Sequence, residues 1–136
     1  MTRSRFTALL MVSLSALALA GRVSAHHSIQ AQFDINKTLT VSGTVAKVEF
    51  INPHSYLTVN VKGADGTITK WAFEMAAAAQ LRRAGMSRAD RGGLKPGDDV
   101  TVLALAARNG SNSGLLQALK MADGREFKFT PDPTGP

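Results

Sequence analysis

Residues 38–61, TLTVSGTVAKVEFINPHSYLTVNV, contain two runs typical of β-strands, joined at Asn52-Pro53-His54. In the first run, apolar or small residues alternate with Thr and Ser, which is the two-residue period of a half-buried strand. Past Ala46 this alternation slips by one residue, which predicts a bulge or sharp bend near Ala46 and Lys47, eased by Gly43. A long strand that bends in this way can serve two sides of a small barrel.

The rest of the chain predicts further strands and one short helix. Asp65-Gly66 is typical of a tight hairpin turn, and Gly85 follows an alanine-rich helical run as a C′ residue. Lys95-Pro96-Gly97-Asp98 fits a type II turn. After the corner, the predicted elements are strands at 57–61 and 68–75, a helix at 76–84, and strands at 99–107, 115–122 and 125–129, the last one short.

This element order predicts a mainly β fold, a small OB-like five-stranded barrel with one short helix between strands three and four. A jelly roll would need more strands, and a ferredoxin-like sandwich would need a helix between the first two. Strand four is apolar on both faces, so we expect it to be central in the sheet.

The N-terminus has the pattern of a secretory signal peptide. Arg3 and Arg5 precede an apolar run at 7–20 that is too short to span a bilayer, and Val23-Ser24-Ala25 is a small-residue cleavage signal. A cut after Ala20, or a short membrane anchor, are the alternatives. We therefore expect a periplasmic or secreted protein with no stable membrane span after cleavage. The predicted organisation is a signal peptide at 1–25, an N-terminal segment at 26–37, a barrel domain at 38–129 and a flexible tail at 130–136.

Cleavage after Ala25 removes Arg3, Arg5 and Arg22 and no acid, which lowers the net charge from +6 to +3. The remaining bases are scattered along the chain without interleaved aromatic residues, as on a solvated surface. Together with export, this spacing predicts no nucleic-acid partner. The chain has no cysteine, so disulfides and thiolate chemistry are excluded.

The N-terminal segment 26–37 is polar apart from Ile29 and Phe33, which we expect to fasten it to the barrel, and it ends in a predicted turn at 34–37. Beyond residue 129 the chain is rich in proline, as is typical of a loose tail.

Several short motifs are spread over most of the chain after the predicted signal: His26-His27-Ser28, Phe33-Asp34, Gly43-Thr44-Val45, Asn52-Pro53-His54, Trp71 with Glu74, residues 81–85, residues 94–98 and Asp123-Gly124. Together they resemble a family of small exported bacterial proteins classed as a domain of unknown function. Phe50 stands where that family often has a tryptophan. The resemblance implies export and a small β-rich domain, and it brings no activity.

The three histidines outside the predicted signal, His26, His27 and His54, are candidate metal ligands. A cut after Ala25 would give His26 both a free α-amine and a ring nitrogen, and an all-nitrogen set of this kind suits Cu(II). The arrangement resembles the histidine brace of some copper proteins, matched here only by His26 and a distant histidine. A cut after Ala20 would remove the free amine. The predicted second shell consists of Asp34, Glu49 and Glu74.

Plainer interpretations stand beside the metal site. His26 and His27 could belong to a disordered tail, and the Asn-Pro-His corner could leave His54 half exposed with no ligand. A triad of Ser55, His54 and Glu74 lacks a nucleophile elbow, and neighbours on a strand point to opposite faces. Aromatic residues are more typical of a core than of a ligand platform; those concerned are Phe50, Trp71 and Phe73.

These observations favour a periplasmic binding module for a small ligand or a metal ion, with copper as the cofactor if there is one. A copper-dependent oxidative enzyme is the alternative from a different class, and it would need an open coordination position beside a substrate surface. A third hypothesis is an envelope protein that binds a partner protein through an exposed strand edge. If His54 and the mature N-terminus share a site, they must lie close together in the fold.

Overall fold

The computed structural model describes residues 29–129. Besides the helices and strands given below, it contains a 3-10 turn, Ala89–Arg91, between the third and fourth strands. Within residues 29–129 no helix is long and apolar enough to cross a membrane. The prediction of a mainly β fold with a helix between strands three and four is confirmed. In chain order the elements are α1 (Ile29–Gln32), β1 (Phe33–Glu49), β2 (Ser55–Lys62), β3 (Ile68–Met75), α2 (Ala78–Arg83), β4 (Asp99–Ala107), β5 (Ser113–Met121) and β6 (Glu126–Lys128).

The described strands form one six-stranded sheet in the order β3-β2-β1-β4-β5-β6, so β4 is central as expected. Neighbours in this order pair antiparallel, and β3 also pairs in parallel with β5. In that parallel pairing Ala72 lies opposite Ser113 and Glu74 lies opposite Leu115. The sixth strand, β6, is the short final strand of the sequence, and it extends the sheet beyond the five strands predicted for the barrel.

β1 bends where the sequence predicts it. Val45 pairs with Val59 and Lys47 pairs with Thr58, so Ala46 is an extra residue in the ladder and the predicted bulge is confirmed. Gly43 lies just before this bend, where a Cβ atom would stand 2.3 Å from the carbonyl oxygen of Asn60. Only glycine therefore lets β1 and β2 approach each other so closely at this point.

β1 begins earlier than predicted. The sequence predicts a turn at 34–37, whereas Phe33 and Asp34 already pair with β4, and the ladder resumes at Thr38 after a bulge. Within the bulge the Asn36 N–H donates to Asp34 Oδ1 at 3.0 Å, which is the turn chemistry that the sequence indicates. The strand continues around this local turn because the Phe33 ring is buried against Leu105 and Leu115.

α2 is shorter than the predicted helix at 76–84. Its first expected residue, Ala76, instead accepts a backbone hydrogen bond from Ser55 (3.3 Å), so it extends the β2–β3 pairing. The helix ends as predicted: Gly85 has φ +86°, and the Met86 N–H donates to the Leu81 carbonyl at 2.9 Å. Leu81 and Met86 are both fully buried, so α2 covers one end of the core.

The main core is formed by inward side chains of the sheet together with α2. Phe73 is fully buried, Trp71 stacks on it with ring centroids 6.0 Å apart, and Phe50 packs against the same cluster. These three aromatic residues contribute to the core, as expected, rather than to an open platform. A second, smaller cluster under α1 contains Phe33, Leu105 and Leu115, with Ile29 packed against it, so the expected fastening of the N-terminal segment is confirmed.

Candidate functional site

His54 lies at the corner between β1 and β2 and contacts a carboxylate of β3. Its Nδ1 atom is 2.5 Å from Glu74 Oε1; the His54 side chain is 45% exposed and that of Glu74 is 18% exposed. A neutral imidazole that donates its Nδ1–H to this carboxylate keeps its lone pair on Nε2. Among residues 29–129 the His54 ring has no other hydrogen-bond or ion-pair partner. The Nε2 atom is therefore free to accept a ligand.

Ser55 holds the corner in place. It is fully buried, its Oγ donates to the Ile51 carbonyl at 3.1 Å, and its N–H donates to the Ala76 carbonyl at 3.3 Å. Because Ser55 points into the core while the His54 ring is half exposed, the two side chains do not pair. The triad of Ser55, His54 and Glu74 that the sequence suggested is therefore not formed.

Tyr56 belongs to the same outer surface, although no sequence motif singles it out as a site residue. It is paired with Glu74 on one side and with Glu49 on the other, so the three side chains form a row across β3, β2 and β1. Burial raises the pKa of the Tyr56 phenol, and the negative charge of Glu74 raises it further. Its place near His54 could be predicted from the sequence, because residues two apart in a strand, such as 54 and 56, lie on the same face of the sheet.

A groove of about 590 Å³ lies beside this row. Tyr56 and Glu74 line one side, and Ala31 and Gln32 of α1 line another. The loop after β4 supplies Arg108, together with neighbouring polar groups. The start of the described chain and the carboxylate that contacts His54 therefore face one shared groove.

Arg108 connects this loop to α1, and it too belongs to no motif that the sequence displays. Its Nε donates to the Gln30 carbonyl at 2.7 Å, and its backbone N–H donates to the Gln32 carbonyl at 2.9 Å. No sequence spacing links residue 108 to residues 30–32, so only the tertiary structure reveals the contact.

The three carboxylates of the predicted second shell have different surroundings. Glu74 contacts His54 as described. Glu49 accepts a hydrogen bond from Lys47 Nζ at 2.7 Å and lies next to Tyr56, so it borders the site without touching the histidine. Asp34 accepts its hydrogen bond from Asn36 inside the β1 bulge and does not line the groove.

His26 and His27, the other two predicted metal ligands, lie outside the described residues. Within residues 29–129, no group of three His, Asp or Glu side chains is arranged to hold a metal ion. The three-histidine site therefore stays a prediction, for which the structure supplies only the surroundings of His54.

The fold is similar to that of solved proteins of low sequence identity. A crystal structure of the mitochondrial single-stranded DNA-binding protein Rim1 from S. cerevisiae matches with a TM-score of 0.48 and 12% identity, over 63% of this chain and 93% of that one. A selenomethionine-labelled form matches with a TM-score of 0.47 and 12% identity, over 65% and 97% of the two chains. No curated protein matches this chain.

The prediction that excluded nucleic acid as a partner is wrong as an exclusion, because both similar structures are of single-stranded DNA-binding proteins. That prediction relied on the linear spacing of the bases, which does not describe how they cluster in the fold. Arg125 Nη1, for example, donates to the Gly92 carbonyl at 3.1 Å, which brings it beside the Ala89–Arg91 turn that ends in Arg91. At 12% identity the likeness concerns the fold and transfers no ligand.

A comparison with protein families identifies the family to which this sequence belongs. One family profile matches residues 14–118, which is most of the chain and includes the Asn-Pro-His corner, β3 with Glu74, and Arg108. The expected resemblance to a family of unknown function is thereby confirmed, and the chain belongs to the family of unknown function DUF6152.

Proposed function

We propose that this protein is an exported binding module for a metal ion or a small ligand, built on an OB-like barrel. In its most specific form it binds Cu(II) through the α-amine and ring of a mature N-terminal His26, with His27 and His54 as further ligands. One observation carries the proposal: the contact between His54 Nδ1 and Glu74 Oε1.

This contact is the arrangement that a metal-ligating histidine usually has. Ligating histidines donate one ring N–H to a carboxylate, which fixes the ring and makes the other nitrogen a better ligand. Glu74 is positioned to do this for His54, and the half-exposed ring can present Nε2 to solvent or to a metal. A histidine that merely ended a strand would need no such partner.

The position of α1 supports a site shared with the N-terminus. α1 lines the same groove as Glu74, and His26 precedes its first residue by only three positions. A chain of that length can span about 10 Å. The proposal requires the N-terminal nitrogens to use this length of chain to approach His54.

The carboxylate beside His54 also favours a cation at this corner. Glu74 lines the groove and contacts His54, whereas Glu49 is paired with Lys47 and does not line the groove. A carboxylate next to the ring attracts a divalent cation there, although Arg108 adds a positive charge elsewhere in the groove.

A copper-dependent oxidative enzyme is the second candidate. The observation in its favour is the groove of about 590 Å³ lined by Glu74, the carboxylate that contacts His54, which offers space for a substrate near a bound metal. Reduction of dioxygen to hydrogen peroxide by copper-loaded protein, with electrons from an added reductant, would favour this candidate over simple binding if it is lost in His54→Ala.

The proposal is tested on protein that a bacterial host has exported and processed. Intact mass identifies the mature N-terminus, and Cu(II) titration is then carried out on the same sample, on His54→Ala and on a control, Lys62→Ala, at the exposed far end of β2. A chain that starts at His26, with one-to-one binding weakened only in His54→Ala, would support the proposal. A start at Gly21, or binding indifferent to His54, would contradict the copper site.

A further inference from the structure

We propose that the groove beside Tyr56 binds a small zwitterion the size of a short peptide, with its amine at Glu74 and its carboxylate at Arg108. This inference rests on the small-ligand form of the proposed function and names the class of ligand. It needs no metal ion and no residue outside 29–129. Two opposite charges that line one groove without pairing with each other carry it.

The sheet keeps these two charges apart. Glu74 lies on β3, β3 pairs with β5, and β5 pairs with β4, the strand that ends just before Arg108. Neighbouring strands are about 4.8 Å apart, so the backbones of β3 and β4 are separated by roughly 10 Å along the sheet. This separation leaves room for a ligand between the two charged groups.

Glu74 offers an acceptor at one end of the groove. Its Oε1 atom contacts His54, and within residues 29–129 its Oε2 atom has no hydrogen-bond partner. A carboxylate has about four lone-pair positions on its two oxygens, so it can accept a second donor. Because the side chain is only 18% exposed, its attraction for an ammonium group is screened less than that of a carboxylate in open solvent.

Arg108 offers donors at the other end. Its Nε donates to the Gln30 carbonyl at 2.7 Å, which restricts the orientation of the guanidinium plane. In the part of the chain that the structure describes, its two Nη groups have no hydrogen-bond partner. A guanidinium can bind a carboxylate through two parallel N–H···O bonds, so a carboxylate would meet donors that are already oriented.

The surface between the charges suits a peptide main chain. Small residues line it, namely Ala72, Ala107 and Gly114, and Ser113 adds a hydroxyl. Asn109 uses its Oδ1 to accept hydrogen bonds from Ser111, which leaves its amide N–H groups as donors for a ligand carbonyl. The volume of about 590 Å³ lies within the range of roughly 300–1,000 Å³ that small-molecule sites have.

The combination of charges selects a zwitterion over a simple ion. An anion attracted by Arg108 would be repelled by Glu74, and a cation attracted by Glu74 would be repelled by Arg108. A molecule that carries one charge of each sign at opposite ends is attracted at both.

The first experiment uses the exported wild-type protein, freed of metal by a chelator, and tri-alanine as the probe in calorimetric titrations. N-acetyl-tri-alanine lacks the charged amine, and tri-alanine amide lacks the carboxylate. We expect tri-alanine to bind about tenfold or more tightly than either blocked compound, because each of these loses a charged hydrogen bond at one end.

Two variants then assign the ends of the ligand. Arg108→Gln should weaken tri-alanine binding by about tenfold and leave the binding of tri-alanine amide unchanged. Glu74→Gln should weaken tri-alanine binding to a similar extent and leave the binding of N-acetyl-tri-alanine unchanged. The controls are Lys120→Gln on β5 and Glu126→Gln on β6, which remove the same charges outside the groove and should bind tri-alanine as wild type does.

Equal affinity of wild type for the three compounds would overturn the inference, and so would a loss in either variant that is the same for all three. Either result would leave a groove that binds small ligands without selecting zwitterions. No binding of tri-alanine at millimolar concentration would overturn the inference as well. Cu(II) titration of the same sample, before chelation, tests the metal form of the proposed function separately.

Discussion

Tyr56 and Glu74 are paired directly across β2 and β3 on the outer face of the sheet, and the carboxylate acts on the phenol. Side chains opposite one another in an antiparallel pair have Cβ atoms about 5 Å apart, close enough for one charge to affect the ionisation of its neighbour. The same Glu74 contacts His54. One carboxylate therefore links the only tyrosine of the chain to the candidate ligand.

Replacing Glu74 by Gln should lower the pKa of Tyr56. The phenol should still ionise above its ordinary range, because burial is the larger cause of the raised pKa and persists in the variant. The alkaline absorbance change of the phenolate measures this directly, since the chain has one tyrosine. A pKa that is unchanged or higher in Glu74→Gln would contradict the electrostatic link.

Glu74→Gln should also weaken Cu(II) binding, if His54 is a ligand. Loss of the carboxylate that orients a ligating histidine typically costs 10- to 100-fold in metal affinity, so we expect a loss of about that size. Glu126→Gln, which removes an exposed carboxylate on β6, serves as the control. Equal affinities in the two variants would argue against a role for the His54–Glu74 contact.

Gly43→Ala should destabilise the protein by about 1–3 kcal/mol, because the new methyl group would overlap the backbone of β2. Its Cβ would lie 2.3 Å from the Asn60 carbonyl oxygen and 2.8 Å from Val59 Cγ1. Urea unfolding measures the loss, with the exposed Thr40→Ala on the same strand as control. A Gly43→Ala midpoint equal to that of wild type would mean that β1 and β2 can move apart without cost.

Asp98 should make stability depend on pH at the acidic end. Its side chain accepts hydrogen bonds from Lys95 Nζ and from the Lys95 N–H, and the bond to the Lys95 ammonium is the main cause that lowers the Asp98 pKa. A lowered pKa in the folded state gives stability above the unfolded pKa, about 3.9, which is lost as the pH falls through the folded value.

The corresponding variant is Asp98→Asn. We expect it to be less stable than wild type at pH 7 by about 1 kcal/mol at most, with the deficit shrinking below about pH 4. Unfolding by urea at several pH values measures the difference. Lys95→Ala removes the partner and should show the same trend. A deficit as large at pH 2 as at pH 7 would contradict this account.

Local patterns in the sequence predicted much of the sheet. The alternation that slips after Ala46 predicted the bulge between Val45 and Lys47, and the bounds of β3 and β4 agree with the structure. These features depend on neighbours in the chain, which a sequence displays. The start of β1 was missed because the local turn chemistry at Asp34 is real, and only pairing with β4 carries the strand past it.

The candidate site was predicted less completely. His54 and Glu74 were both named, but their contact depends on the register of β2 against β3, which the sequence does not give. Tyr56 could have been found from its position two residues after His54. Arg108 could not, since its bonds to α1 join residues that are far apart in the chain.

The parallel pairing of β3 with β5 has a consequence for local opening of the sheet. It involves only three residue pairs, between strands that α2 and β4 separate in the chain. A short ladder that closes a long loop has few contacts to offset the entropy of closure, so local opening is expected there. Glu74 of β3 and Ser113 of β5 both line the groove. Each opening of this strand pair would therefore move two walls of the groove apart, and a ligand bound across them would slow the opening.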